Sequence, residues 1–272
     1  MTFEAREQSL TDGQPVELFT FAREYQRWRY TSADREIVTL DGTFLPRTLS
    51  RSEIETSPER VRSNITITAQ RDLEVADLFR VSPPTLAVTC IIQQRHMTDT
   101  DAQVVTLWTG RISAVEFNGP AALITLEPIN ASMKRIGLRR IYQKQCPHVL
   151  YGNACKANRE VFRIDGVVDS VGGASAVVPQ AALHPAGHFS GGFLEWDIEP
   201  GIVERRFIGD HFGASLGFSS SSFGLLPGQA VKLYPGCDHK LETCADKFSN
   251  AVNYGGFPFF PTKNPFGGDP IF

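Results

Sequence analysis

From about Glu17 to Ile129, apolar and polar residues alternate in short runs separated by turn residues: "VELFTF", "EIVTL", "NITITAQ", "LAVTCIIQQRH", "VVTLWTGRISAVEF" and "ALITLEPI". A period of two, filled with β-branched and aromatic residues, predicts half-buried antiparallel strands. Asp41-Gly42 and Asn118-Gly119 fall between such runs, where hairpin turns need a positive φ. Short helices are predicted at "SRSEIET", with Ser50 or Ser52 as cap, and at "DLEVADLF". After Val161 the strand pattern returns in "VFRIDGVVDSV", "FLEWDIEPGIVERRFIGDH" and "QAVKLYPGC", with the glycines of "SVGGASA" read as a hairpin. The fold class is therefore mainly β: a β-barrel or sandwich followed by a smaller β-domain, with few short helices.

Four segments follow from this pattern. Residues 1–130 form the β-rich N-terminal domain, and 131–145, "ASMKRIGLRRIYQKQ", a basic linker with a partial helical turn. Residues 146–250 form a second β-domain bracketed by cysteines. Residues 251–272 are so rich in Pro, Gly and Phe that they should lie extended against something apolar.

Charge and composition narrow the functional classes. A net charge of −3 gives no reason to expect bulk nucleic-acid affinity, and the basic run Lys134–Arg140 reads first as a solvated face or protein interface. The polar N-terminus lacks the plan of a signal peptide, and no apolar run is long enough to span a bilayer, so synthesis in the cytosol without a membrane span is expected.

An odd count of five cysteines argues against a disulfide framework. Cys90 stands in "TLAVTCII", where it is a small core hydrophobe. The other four form two local pairs, Cys146-x8-Cys155 and Cys237-x6-Cys244, at the ends of the second β-domain. They lie among Pro, Gly, Asn and Asp, in turn-like contexts where burial alone gains little. Two pairs converging by domain closure suit a tetrahedral thiolate site or a cubane cluster. The spacings are wider than the C-x2-4-C of zinc knuckles and favour a [4Fe-4S] cluster, while His148 and His239, each two residues after a cysteine, keep a mixed Cys/His zinc site open.

"CPHVLYGNAC", followed by a β-domain and then "GCDHKLETCADKFSNAVNYGGFPFFP", resembles the tail-tip or baseplate hub proteins of long-tailed bacteriophages and gene transfer agents. That family is similar in role to the tail-tip protein L of phage lambda, whose C-terminal part carries an iron–sulfur cluster. The resemblance implies that Cys146, Cys155, Cys237 and Cys244 are cluster ligands, with His148 and His239 at most supporting them. It implies a structural, non-enzymatic virion protein at the tail tip, assembled in the host cytoplasm, with a homotrimeric ring as the expected assembly. Its neighbours would be the distal tail protein, the tape measure protein and the central fibre or other tail-tip proteins, with DNA passing through the channel.

Other chemistry is weakly supported. Gly213-Ala-Ser215-Leu-Gly217 fits a nucleophile elbow, but "FSSSSFGLLPG" after it has no helical period. His184 and His188 have helical metal spacing, but Pro185 and Gly187 oppose a helix. The alternatives to a hub are a zinc-stabilised binding module and an iron–sulfur redox protein, the latter without a dinucleotide fingerprint.

Overall fold

The computed structural model describes residues 3–9, 11–54, 64–134, 137 and 141–259. The chain divides into two compact units, Met1–Arg135 and Ile136–Phe272. It is mainly β, and among the described residues no helix is long and apolar enough to cross a membrane.

In the first unit nine strands make one sheet: β1 (Pro15–Arg23), β2 (Gln26–Thr31), β3 (Ile37–Thr39), β4 (Gly42–Pro46), β5 (Leu49–Arg51), β6 (Ile65–Gln70), β7 (Thr89–His96), β8 (Val104–Asn118) and β9 (Ala121–Pro128). Their order is β3-β4-β2-β1-β7-β8-β9-β6-β5. Every pairing is antiparallel except β2 with β4. Pairing of Ile65 with Leu126, Ile67 with Ile124 and Ala69 with Ala122 stacks the buried residues of β6 and β9 on one face. A slip of one residue would turn that whole row to solvent, so the alternation fixes the register. Tyr30 of β2 and Leu49 of β5, far apart in strand order, share one core with Phe19, Phe21, Ile92 and Ile124. The sheet therefore curls into a half-barrel, and Cys90 is a fully buried member of that core, its thiol pushed up by desolvation.

The helix expected at "SRSEIET" is not there. Leu49–Arg51 is strand β5, because its backbone pairs with Leu49 opposite Ala69 while Leu49 turns into the core; residues 52–54 are irregular and 55–63 lie outside the described residues. "DLEVADLF" supplies only the single turn α2 (Glu74–Asp77), with Val75 and Ala76 buried in the curl. Gly119 has the positive φ (56°) expected of the β8–β9 turn. The β3–β4 turn is Leu40-Asp41, closed by Thr39 opposite Gly42. Strand β2 was not legible, since "QRWRYT" mixes arginines with aromatics and its hairpin turns on Glu24 (φ 50°) rather than on glycine. Helix α1 (Phe3–Glu7) is pinned by a buried Arg6–Asp99 ion pair; backbone amides, Gln103 foremost, hold the Asp99 carboxyl below the usual range. The stretch Ile129–Lys134 is a 3₁₀ turn, and most of 135–140 lies outside the described residues.

The second unit has strands β10 (Ile164–Val167), β11 (Ser170–Val171), β12 (Ser175–Val177), β13 (Phe193–Glu199), β14 (Ile202–Phe212), β15 (Ser215–Phe218) and β16 (Ala230–Tyr234), in the order β10-β16-β13-β14-β15-β12-β11. One face buries Val178, Phe189, Leu194, Trp196, Ile208, Leu216 and Leu233. The opposite face of β13 and β16 carries Phe193 stacked on Tyr234 at 4.5 Å, and the segment preceding β10 packs over these rings. Helix α3 (Leu241–Asp246) follows β16 and holds the fourth cysteine of the two pairs.

The residues that mimic catalytic motifs have structural roles. Ser215 opens strand β15 after the turn at Gly213 (φ 57°), so no elbow exists there. His184 and His188 stack at 4.6 Å in the irregular segment before β13, both against Phe189. Burial, then the charge of Lys247, then His184 and His211, depress His188 to about 4. Its folded value lies below the unfolded value of about 6.5, so its contribution is complete above that pH and is lost as pH falls from about 6.5 to 4. Thermal melts of the second unit should show a pH-dependent loss of at most about 3 kcal/mol across this window. In His188→Asn that loss should largely vanish; an unchanged pH profile would assign it to other groups.

Candidate metal centre

Three backbone segments, 143–156, 236–246 and 248–257, are knitted around one largely enclosed cavity. Its lining includes Cys146, Cys155, Cys237 and Cys244, together with His148, His239, Asn250 and Asn253, and its volume is about 20 Å³. The structure thus brings together all four cysteines of the two sequence pairs.

The first pair is set by the turn around Tyr151. Its φ of 59° is unfavourable for a residue with a side chain. The ring is held by edge contacts with Phe193, Tyr234 and Phe248 at 6.0–6.3 Å and by its hydroxyl, which donates to the Pro235 carbonyl at 2.8 Å. Burial raises the Tyr151 phenol well above its ordinary range. Among the described residues six non-glycine positions have positive φ, and four of them, Tyr151, Lys156, His239 and Ser249, flank the cysteines. Backbone strain concentrated in this way is a mark of ligand-holding loops.

The second pair follows a crossing of two backbones. At Gly192 and Gly236 the chains touch without room for a side chain, and the Lys247 ammonium ties the crossing by donating to the carbonyls of His188 (2.5 Å) and Gly236 (2.7 Å). Burial lowers the Lys247 ammonium, and the neighbouring Cys237 and Asp238 oppose that shift. Cys237 then emerges beside the first pair.

Hydrogen bonds join the pairs. The Cys146 amide donates to the His239 carbonyl at 2.9 Å, and the Tyr254 hydroxyl bridges the carbonyls of Lys144 (2.7 Å) and His239 (3.2 Å). Asn250 is the central link: its side-chain amide donates to the Cys155 carbonyl at 2.6 Å, while its backbone amide donates to the Cys244 carbonyl at 2.9 Å. The His148 Nδ1–H donates to the Asn253 carbonyl at 3.1 Å, and its ring lies flat against Gly255, where a Cβ would overlap the imidazole. His148 and His239 therefore line the cavity, but His239 acts through its backbone, and His148 orients the 253–255 segment.

Three of the four sulfurs face N–H groups, while the Cys244 S–H donates to the Asn250 carbonyl at 3.3 Å. The His239 amide donates to Cys237 Sγ (3.3 Å) and the Gly255 amide to Cys146 Sγ (3.4 Å), with Asn250 Nδ2 at 3.6 Å from Cys155 Sγ. Burial raises both Cys237 and Cys244, and the charge of neighbouring thiols adds to it. This donor set fits a thiolate-bound metal group. Among the described residues no three His, Cys, Asp or Glu groups are gathered closely enough to hold a metal ion.

Sequence reading found the four thiols but not the residues that organise them. Asn250, Gly255 and Gly256 lie in "FSNAVNYGGFP", which carried the family resemblance without revealing their individual roles. Tyr151, Lys247, Gly192 and Gly236 gave no signal, because their importance arises from contacts across the fold.

Comparison with known proteins decides the family. The model of the baseplate hub protein, N-terminal attachment domain, matches residues 17–158, just over half of the chain. The chain belongs to this family of baseplate hub proteins. It is thereby a structural component of the virion tail tip. A second family model, phage conserved hypothetical protein BR0599, matches residues 187–264 of the hub protein. The first pair of cysteines falls in the first match and the second pair in the second, so the cavity is built from both regions. An "Uncharacterized protein" of Xylella fastidiosa (strain 9a5c) is 27% identical over 221 residues, covering 73% of the hub protein; the alignment spans 46% of that relative's length. A chain of the "Virion of native gene transfer agent (GTA) particle" shares the fold, with a TM-score of 0.78 at 18% identity over 99% of the hub protein and 96% of that chain.

Proposed function

We propose that this hub protein is held together by a structural [4Fe-4S] cluster bound through Cys146, Cys155, Cys237 and Cys244. Three such subunits would form a ring that joins the tail tube and distal tail protein to the central fibre or receptor-binding parts. The tape measure protein would meet the same ring, and DNA would pass through its channel. The partners and the ring follow from the family resemblance. The cluster rests on one observation: four thiols from two distant pairs line one enclosed cavity, with amide donors at three of the sulfurs.

When bound, such a cluster supplies cohesion, since metal–thiolate binding free energy becomes folding free energy in a domain whose loops need cross-linking. The chain's own part is to hold four thiolates apart around the cavity, to point N–H groups at sulfur and to exclude bulk water. The wider cysteine spacing favours a cluster over a single zinc ion.

Protein purified without oxygen should be brown and contain iron and acid-labile sulfide in equal amounts, about four of each per chain. One tightly held zinc per chain, or no metal at all, would overturn the cluster.

A further inference from the structure

In the nine-stranded sheet of the first unit, β3 is an edge strand that pairs, among the described residues, only with β4. Thr39 opposite Gly42 closes their turn, so the alternation of an antiparallel ladder points the N–H and C=O of Val38 away from β4. The carbonyl accepts from Arg95 Nη1 of β7 at 3.3 Å, and the N–H has no partner among the described residues. Beside this edge lies a groove of about 590 Å³, lined by Val38, Leu40, Asp41, Arg95, Asp101 and Val104 among others. Such a volume falls in the range of sites that take a ligand, about 300–1,000 Å³.

The wall of the groove is set before anything binds. Ile37 is buried with Leu18 and Phe44, so Val38 and Leu40 turn to the other face, where Val38 is 70% exposed and Leu40 fully so. Thr39 Oγ1 accepts from the Asp41 amide at 3.2 Å and donates to the Gly42 carbonyl at 3.1 Å, which holds the turn carrying Leu40. Arg95 reaches the edge, but its Nε is buried without a hydrogen bond, so this contact can be exchanged for a better one. The exposed carboxylates of Asp41 and Asp101 line the same groove and make no ion pair among the described residues.

We propose that β3 is a strand-addition site for an extended segment of another tail-tip protein, one with apolar side chains at alternate positions and a lysine or arginine beside them. Its backbone pairs with the N–H and C=O of Val38 and displaces Arg95. Its apolar side chains cover Val38 and Leu40, and its cation meets Asp41 and Asp101. Pairing two copies of this edge about a two-fold axis would instead bring these carboxylates towards their like, so the occupant is a different chain.

The test compares the free chain with assembled tail tips by amide hydrogen exchange over residues 37–42. Exchange is expected to slow in the tail tips, and a benzophenone side chain placed at position 40 should cross-link there to a segment of another protein with the stated composition. Val38→Pro removes the free N–H without costing a bond to β4, and edge strands accept proline. Leu40→Asp is the second variant and sets a like charge beside Asp41. Both should melt as the wild type does and enter tail tips about tenfold less well, the equivalent of one lost hydrogen bond. If Val38→Pro fails to fold, Leu40→Asp decides alone. Unchanged exchange, undiminished entry of the folded variants, or a cross-link to a second copy of this chain or to DNA would overturn the proposal.

Discussion

Tyr151→Ala is expected to destabilise the second unit by about 2–4 kcal/mol, below the full range for a buried aromatic because Tyr151 is half-buried. Tyr151 is the point at which the first cysteine pair is fastened to the sheet: its ring meets Phe162, Phe193, Tyr234 and Phe248, and its hydroxyl satisfies the buried Pro235 carbonyl two residues before Cys237. These contacts also help to hold a positive φ that costs on the order of 1–2 kcal/mol. Tyr151→Phe separates the two contributions. It keeps the ring contacts and leaves the Pro235 carbonyl without its donor, so a loss of about 1–3 kcal/mol is expected. Denaturant unfolding of the full chain, followed by proteolysis to assign the affected unit, measures both. A Tyr151→Ala protein as stable as wild type would mean that the 146–155 loop is held by the metal site alone.

Gly236→Ala should be nearly as damaging, for a different reason. A Cβ at this position would fall inside the van der Waals envelope of the Ser190 carbonyl oxygen and within 2.5 Å of the Gly192 amide nitrogen. The obstacles are backbone, not flexible side-chain ends, so the crossing must open and move Cys237 with it. Overpacking of this kind costs about 3 kcal/mol or more when nothing nearby can yield. The variant should therefore melt earlier and, if the proposed cluster is bound, also lose most of its iron and sulfide. Gly173→Ala is the control, because no atom lies within 4 Å of the added Cβ and it should behave as wild type. If Gly236→Ala retained wild-type stability and metal, the tight crossing would not be what positions Cys237.

The two substitutions act on residues that the sequence does not single out, and the contrast with the cysteines is instructive. Period-two alternation in "NITITAQ" and "ALITLEPI" reveals strands because one face of a sheet is buried, and burial is written locally as every second residue. Strand β2 escapes this reading because Arg27 and Arg29 interleave with Trp28 and Tyr30 and only its last two residues, Tyr30 and Thr31, are buried, which blurs the polar–apolar contrast. Strand β5 escapes because Leu49–Arg51 is too short to display a period, and pairing with β6 overrides the local helix signal.

The candidate site divides along the same line. Four thiols in two pairs among turn residues are visible without coordinates, since soft ligands at polar positions have no packing motive. That all four enter one cavity depends on closure of the seven-stranded sheet between them.

By itself, then, the sequence determined the mainly β class, the positions of most strands, the four candidate ligands and, through "CPHVLYGNAC" and "FSNAVNYGGFP", the resemblance to tail-tip hubs. Those properties reside in local periodicity and residue type. Only the tertiary structure decided the curl of the first sheet, the backbone crossing at Gly192 and Gly236, the anchoring of Tyr151, and the different partners of the four sulfurs. Each of these joins residues distant along the chain, and such contacts are selected by the packing of the whole unit, which no short window of sequence contains.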